Sequence, residues 1–155
     1  MENIVFFEEV TFTIALLIYL AATILFFVYL IGRKDKVGKY ATNVTIAGLA
    51  VHTLSMIFRV IEAGRLPFSN QFEFASSFTW GIVLIFIIIQ FRYKFTSLGG
   101  FVMPLAFLMM MYASMQSKSI NPLMPALQSN WLTIHVGTAV ISYGSFAVGC
   151  GLAVM

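Results

Sequence analysis

Apolar residues follow one another in five long stretches of this chain, and shorter polar segments separate the stretches. A helix needs roughly 20 mainly apolar residues to cross the hydrocarbon core of a bilayer, and these stretches are close to that length. The pattern therefore predicts an all-α fold, a polytopic membrane helix bundle with about five transmembrane helices. The predicted helices are Val10–Ile31, Tyr40–Ile61, Ala75–Phe91, Leu98–Ala113 and Trp131–Met155.

Composition agrees with this prediction and excludes an ordinary soluble domain. Hydrophobic residues make up 60% of the chain and charged residues only 10%. The first stretch lacks the flanks of a secretory signal, because acidic residues precede it and basic residues follow it, so we expect a retained helix. The single cysteine, Cys150, excludes an internal disulfide and a site with four thiolate ligands.

The distribution of charge predicts how the helices are oriented. Basic residues are concentrated in Gly32–Lys39 and in the connection that holds Arg92 and Lys94. Because positive connections mark the cytoplasmic side, we expect the N-terminus outside, with Ala63–Phe74 and Ser114–Asn130 as outer loops. The net charge of +3 then reflects orientation, and no nucleic-acid partner is expected. The acidic residues expected at or beyond the outer surface are Glu2, Glu8, Glu9, Glu62 and Glu73.

Polar and small residues form a stripe along the second helix, spaced alternately by three and four positions. That spacing places them on one helical face, and the stripe should face the bundle interior or a water-filled cavity instead of lipid. At 1.5 Å per residue, His52 lies roughly 13 Å below the outer end of the helix. The stripe consists of Thr45, Gly48, His52, Ser55, Arg59 and Glu62.

The fifth helix carries a similar stripe that begins with the other histidine, His135. Ser145 and Gly149 form a pair of small residues four apart, which permits close approach of another helix. Trp131 is a plausible aromatic at the outer interface, so His135 should lie only about 6 Å below the outer surface. This second stripe consists of His135, Thr138, Ser142, Ser145 and Gly149.

Each histidine has two interpretations. The ring either bonds a neighbouring helix as part of the packing, or ligates a metal or haem iron through one nitrogen while a second group holds the other nitrogen. The sequence has no His/Asp/Glu cluster with zinc-like spacing, so a ligand held by separate helices fits better than a self-contained metal site. Arg59 is either a counter-ion for an anionic group from outside or the partner of Glu62 three residues later, and we favour the pairing.

Two motifs stand out in the chain: Gly64-x-x-Pro67-x-Ser69-Asn70-x-x-Glu73, followed by Trp80, and Trp131-x-x-x-His135-Val. They resemble the N-terminal half of the CcsA/ResC family of cytochrome c assembly proteins, which belongs to a haem-handling group with CcmC and CcmF. Phe72 stands where the resemblance leads us to expect tyrosine, and it keeps an aromatic ring there.

The resemblance implies haem handling for cytochrome c biogenesis, as in system II-type haem export and attachment to the CxxCH thiols of apocytochrome c. It implies haem b as cofactor, a ResB/CcsB-like membrane partner and a location in a bacterial plasma membrane. By resemblance, His52 matches the first histidine of a transmembrane haem site. His135 matches the first histidine that flanks the outer, tryptophan-rich domain of the family.

For the first motif a structural role is favoured over contact with haem. Asn70 can cap the third helix, with Glu73 at its third position. Together with Pro67 and Ser69, these residues would form an outer turn that sets the angle between the second and third helices.

The family's tryptophan-rich WGxxWxWD segment and the second histidine of each haem site are absent from this sequence. We therefore expect residues 1–155 to form a single membrane domain, the N-terminal part of an assembly domain that stops before the tryptophan-rich segment. Such a part of a haem lyase or synthase would be inactive alone. Two alternatives stay open: a HemX-like regulatory or scaffold protein, and a small transporter or channel that uses the stripe of the second helix.

Overall fold

The computed structural model describes residues 2–120 and 129–155, and within them it contains five long helices and no strand. All five are long and apolar enough to cross a membrane, which confirms the predicted fold class, with a 3-10 turn over Thr96–Leu98 leading into the fourth. The helices are α1 (Glu2–Gly32), α2 (Asp35–Ala63), α3 (Gln71–Tyr93), α4 (Gly99–Ser114) and α5 (Asn130–Val154).

Several helices extend beyond the apolar stretches that predict them. The first begins at Glu2 and not at Val10, and the third begins at Gln71 and not at Ala75. Hydropathy marks only the part of a helix that suits lipid, whereas backbone hydrogen bonds continue into the polar flanks. The outer loop predicted for Ala63–Phe74 is therefore shorter, and part of the loop predicted for Ser114–Asn130 lies outside the described residues.

Successive helices run in opposite directions, so the bundle has two ends of different composition. The predicted outer end contains the starts of α1, α3 and α5 and the ends of α2 and α4. The predicted inner end contains the opposite termini and the turn before α4. Helix α1 packs along α2, while α3 packs against α4 and α5. The buried core includes Phe12, Tyr19, Phe26, Phe86, Met103 and Met110.

Two glycines let α3 and α5 approach each other with their backbones nearly in contact. A Cβ atom at Gly144 would lie 2.9 Å from the backbone carbon of Gly81, and one at Gly81 would lie 2.8 Å from a methyl of Val140. Neither distance is compatible with a real side chain. Small residues at helix crossings are the usual means of close packing in membranes. This crossing fixes which face of α5 points into the bundle.

Candidate functional site

The stripe of α2 faces the bundle interior, as its periodicity predicts. Thr45, Gly48, His52, Ser55 and Arg59 are all buried. His52 is fully enclosed, and its ring lies between hydroxyl groups of two other helices. The Tyr19 hydroxyl is 3.2 Å from Nδ1, and the Ser76 hydroxyl is 2.9 Å from Nε2. Two hydroxyls can satisfy both ring nitrogens, because each can donate or accept as the tautomer requires.

Tyr19 reaches His52 because α2 has no side chain one turn before the histidine. A Cβ atom at Gly48 would lie 2.8 Å from the Tyr19 ring, so only glycine leaves room for that ring. The Tyr19 and His52 rings then meet edge to face, with their centroids 5.7 Å apart. Neither Tyr19 nor Ser76 is predicted from the sequence as a partner of His52. Tyr19 stands among aliphatic residues, where an aromatic ring is typical of packing.

Arg59 bonds Glu73 of α3, so the predicted pairing with Glu62 is wrong. Its Nε and Nη2 atoms lie 3.1 and 3.0 Å from Glu73 Oε1, and Nη2 also donates to the carbonyl of Lys118 at 2.9 Å. Glu62 lies on the same helix but is not among the bonded partners of Arg59 in the described residues. The turn after α2 places Glu73 beside Arg59 at the end of the stripe. Two N–H groups of the planar guanidinium can then point at the carboxylate of Glu73.

Glu8 and Glu73 are buried between helices at the predicted outer end, and the sequence did not predict their burial. Glu8 is only 1% exposed, and its Oε2 atom lies 4.0 Å from Arg59 Nη1. Glu8 belongs to α1 because that helix starts eight positions before Val10. A signal for its burial exists in the sequence: Glu8 continues the alternating four- and three-residue spacing of the buried positions Phe12, Ala15, Tyr19, Ala22 and Phe26.

The turn between α2 and α3 has the cap that the sequence predicts. Asn70 accepts a hydrogen bond from the backbone N–H of Glu73 at 2.7 Å. Oε2 of Glu73 accepts from the backbone N–H and the hydroxyl of Ser69, both at 2.9 Å, and forms an ion pair with Arg65 at 3.0 Å. The Ser77 hydroxyl donates to the carbonyl of Pro67 at 3.1 Å. Glu73 thus joins the helix cap, the turn and the stripe.

Trp80 connects α3 to α2. Its indole N–H donates to the Thr53 hydroxyl at 2.9 Å. Beside it a mainly apolar groove of about 400 Å³ runs between α2, α3 and α5, and Met56, Phe68 and Ile134 are among the residues that line it. We refer to this space as the outer groove, because it lies toward the predicted outer end.

His135 lies on the exposed face of α5, together with the whole of its stripe. Trp131 is 77% exposed. The buried positions Val140, Gly144 and Val148 face α3 and α4 on the opposite side of the helix. The close approach that Ser145 and Gly149 permit is not made within the described residues, since nothing lies within 4 Å of the position of a Gly149 Cβ atom.

The two histidines therefore differ in their capacity to hold a haem iron. Ligation requires a free imidazole nitrogen and space for the macrocycle. His52 as packed here meets neither requirement. Hydroxyl groups lie within hydrogen-bond distance of both ring nitrogens, and the exposed fraction of the residue is 0%. His135 meets the first requirement, since its ring is exposed and takes part in none of the hydrogen bonds of the described residues.

The chain matches the family model described as cytochrome C assembly protein over residues 68–155. The chain belongs to this family. It is 36% identical over 123 residues to the cytochrome c biogenesis protein CcsA of Nostoc punctiforme, a match that covers 74% of this chain and 35% of that protein. The CcsA proteins of Trieres chinensis and Chlorella vulgaris are 36% and 31% identical, over 63% and 70% of this chain and 32% and 36% of their own length.

This cytochrome c assembly chain spans about a third of the length of the curated relatives it matches. The family match includes Trp80, Trp131 and His135 but begins after His52. The resemblance suggested by the two motifs is thereby confirmed at the level of the family, and the chain is an integral membrane protein.

Proposed function

We propose that this chain handles haem for cytochrome c biogenesis, as one part of a machine that delivers haem to apocytochrome c. The observation that carries the proposal is His135: an exposed imidazole without a hydrogen-bond partner among the described residues, near the predicted outer end of a membrane helix and inside the family match. A free imidazole nitrogen is a ligand for haem iron. His135 would hold iron where the haem is presented to its acceptor outside the membrane.

His52 is the second candidate ligand, and its enclosed position gives the proposal a specific condition. Ligation at His52 requires α1 or α3 to move, so that the hydroxyl of Tyr19 or Ser76 leaves one ring nitrogen. The hydroxyl that stays would orient the ring, as groups beside a metal ligand commonly do. In the packed state His52 instead stabilises the contact of α1, α2 and α3.

The remaining components follow from the same proposal. The cofactor would be haem b, the substrate apocytochrome c, and the partner a ResB/CcsB-like membrane protein, with residues 1–155 as the N-terminal part of the assembly domain in a bacterial plasma membrane. Transport along the stripe of α2 is a poor alternative. The stripe gives water no path in this structure, because four of its polar residues are each at most 3% exposed. These residues are Thr45, His52, Ser55 and Arg59.

Titration of the purified full chain with haem, followed by Soret absorbance, tests the proposal. We expect His135→Ala to weaken haem binding about tenfold or more, which corresponds to roughly 1.4 kcal/mol of binding free energy or more. Added imidazole should restore the absorbance, because it supplies the missing ligand. Ser142→Ala, on the same exposed face but without a ligand atom of this kind, is the matched control.

Unchanged haem affinity in His135→Ala would refute the role of His135. His52→Ala separates the two roles proposed for the inner ring: a ligand role predicts a changed Soret band, whereas a packing role predicts lower stability with an unchanged band. Normal c-type cytochromes after deletion of the gene would contradict the proposed function and favour a HemX-like role. Absence of a Soret band in the unsubstituted chain, together with solute flux in liposomes, would contradict it and favour a transporter.

A further inference from the structure

A second cavity lies at the predicted inner end of the bundle, far along the helices from Arg59 and the turn after α2. It has a volume of about 500 Å³ and is formed by the end of α1, the start of α2 and the end of α3. Polar side chains make up much of its wall, in contrast to the outer groove. We refer to it as the inner cavity, and its lining includes Tyr29, Lys39, Asn43, Gln90, Lys94 and Thr96.

Gln90 gives the inner cavity an unused hydrogen-bond acceptor. Its side chain is only 8% exposed, and its amide N–H donates to the Thr96 hydroxyl at 2.9 Å. The carbonyl oxygen of the same amide is buried and has no hydrogen-bond partner among the described residues. A buried polar atom without a partner is unfavourable. Because Gln90 lines the inner cavity, a ligand with an N–H or O–H group that binds beside its amide can satisfy this oxygen.

The inner cavity also favours a negative group. Lys39 and Lys94 line it, and neither takes part in an ion pair between described residues. Among the described residues of this wall Asp35 is the one acidic residue, so their net charge is positive. Helix α2 starts here with no side chain capping it, and the N-terminus of a helix attracts anions. Basic pockets between membrane helices on the cytoplasmic side are suited to anionic lipid headgroups.

We propose that the inner cavity binds a phosphodiester headgroup that carries a hydroxyl or ammonium donor next to the phosphate. Lys39 and Lys94 would contact the phosphate, and the carbonyl of Gln90 would accept a hydrogen bond from the donor. Phe91 is exposed on the rim and offers an apolar contact for an acyl chain. By the predicted orientation, this site lies at the level of the lipid headgroups of the inner leaflet.

Lipid binding to the purified full chain in neutral detergent tests this assignment, with phosphatidylglycerol and phosphatidylmethanol as probes. Both lipids carry an anionic phosphodiester, but only phosphatidylglycerol has hydroxyl donors in its headgroup. We expect phosphatidylglycerol to bind about tenfold more tightly, and Gln90→Met to abolish most of that preference. We expect Lys39→Gln with Lys94→Gln to weaken binding of phosphatidylglycerol about tenfold.

Lys34→Gln with Arg92→Gln is the matched control, because it removes two basic residues near the same end that do not line the inner cavity. An equal loss of affinity in this control would overturn the site, since it would indicate nonspecific attraction. Equal binding of the two lipids to the unsubstituted chain would overturn the role of Gln90.

Glycerophosphoglycerol, the same headgroup without acyl chains, distinguishes a lipid from a soluble phosphodiester. Weak binding of this probe supports a lipid ligand, whereas affinity equal to that of phosphatidylglycerol would overturn it. Circular dichroism of each variant establishes that the helices are retained. None of these outcomes depends on haem binding, so failure of this proposal is distinguishable from failure of the proposed function.

Discussion

Arg59 lies inside the bundle with carboxylates from two other helices near its guanidinium. Glu73 of α3 is bonded directly, and Glu8 of α1 lies at 4.0 Å. The guanidinium also lies over the Phe72 ring, 5.2 Å from its centroid. Charges in such a place are costly unless each has a partner. At the scale of single residues, this cluster therefore joins α1, α2 and α3 just outside the pocket of His52.

Replacement of Glu73 by glutamine tests how far the cluster depends on its charges. Glu73→Gln leaves Arg59 without its closest carboxylate, and we expect the free energy of unfolding to fall by about 3–5 kcal/mol. The exposed pair of Glu9 and Lys118, 3.3 Å apart, offers the matched control. Glu9→Gln should cost less than about 1 kcal/mol, because solvent screens an exposed pair. Unfolding by denaturing detergent, followed by circular dichroism, measures both effects.

A double variant identifies the cause of the loss. If an uncompensated buried charge is responsible, Arg59→Met combined with Glu73→Met should cost less than the two single substitutions added together. A loss equal to the sum would contradict the charge argument and indicate that packing of the side chains dominates.

The periodicity of α2 predicts the stripe of His52 but not the partners of its members. Helical periodicity fixes which residues share a face, and burial of five stripe residues follows from that. The same rule cannot say which neighbouring helix covers the face, so Tyr19 and Ser76 were missed. Proximity in sequence favours Glu62 as the partner of Arg59, whereas the turn after α2 brings Glu73 closer in space.

At the scale of the helices, α5 differs from the others in having one face bound and one face exposed. Gly144 lies against the backbone of Gly81, whereas Gly149 has nothing within 4 Å of its missing side chain. Both glycines lie in the same helix, and a periodic pattern of small residues includes only the second. The periodic pattern of small residues thus marks a face that permits close approach, whereas the close approach among the described residues is made by another face of α5.

Alanine at these two glycines should have opposite consequences. Gly144→Ala places a methyl group about 2.9 Å from the backbone of α3. We expect overpacking to lower stability by about 1–3 kcal/mol. Gly149→Ala meets no described neighbour. It should raise stability by less than about 1 kcal/mol, because alanine has a greater helix propensity than glycine. Unfolding midpoints of the two variants in detergent are the measurement, and equal losses would contradict the packing of α3 on α5.

For the whole molecule, the pattern of apolar stretches was enough to predict five helices and their order. Their lengths were underestimated, because the helices continue into polar flanks such as the first turns of α1 and α3. Those flanks contain Glu8 and Glu73, the carboxylates that surround Arg59. Glu8 and Glu73 thus lie at the ends of the apolar stretches, where hydropathy does not predict burial. The packing of α1, α2 and α3 decides which side chains are buried there.

The structure also refines the argument for orientation. At the predicted outer end, basic residues have acidic partners: Arg65 pairs with Glu73 at 3.0 Å, and Lys118 pairs with Glu9 at 3.3 Å. At the predicted inner end, only Asp35 accompanies the basic residues of the two connections. These are Arg33, Lys34, Lys36, Lys39, Arg92 and Lys94. Because acidic residues contribute little to orientation, it is the number of Lys and Arg residues at the inner end that favours its location in the cytoplasm.

Labelling of single cysteines in intact cells measures this orientation directly. In a Cys150→Ala background, Met115→Cys places a thiol at a position that is 77% exposed at the predicted outer end, and Lys36→Cys places one at the predicted inner end. A membrane-impermeant maleimide should label position 115 in intact cells and position 36 only after the membrane is permeabilised. The reverse pattern would invert the topology, moving His135 to the cytoplasmic surface and the inner cavity to the outer leaflet.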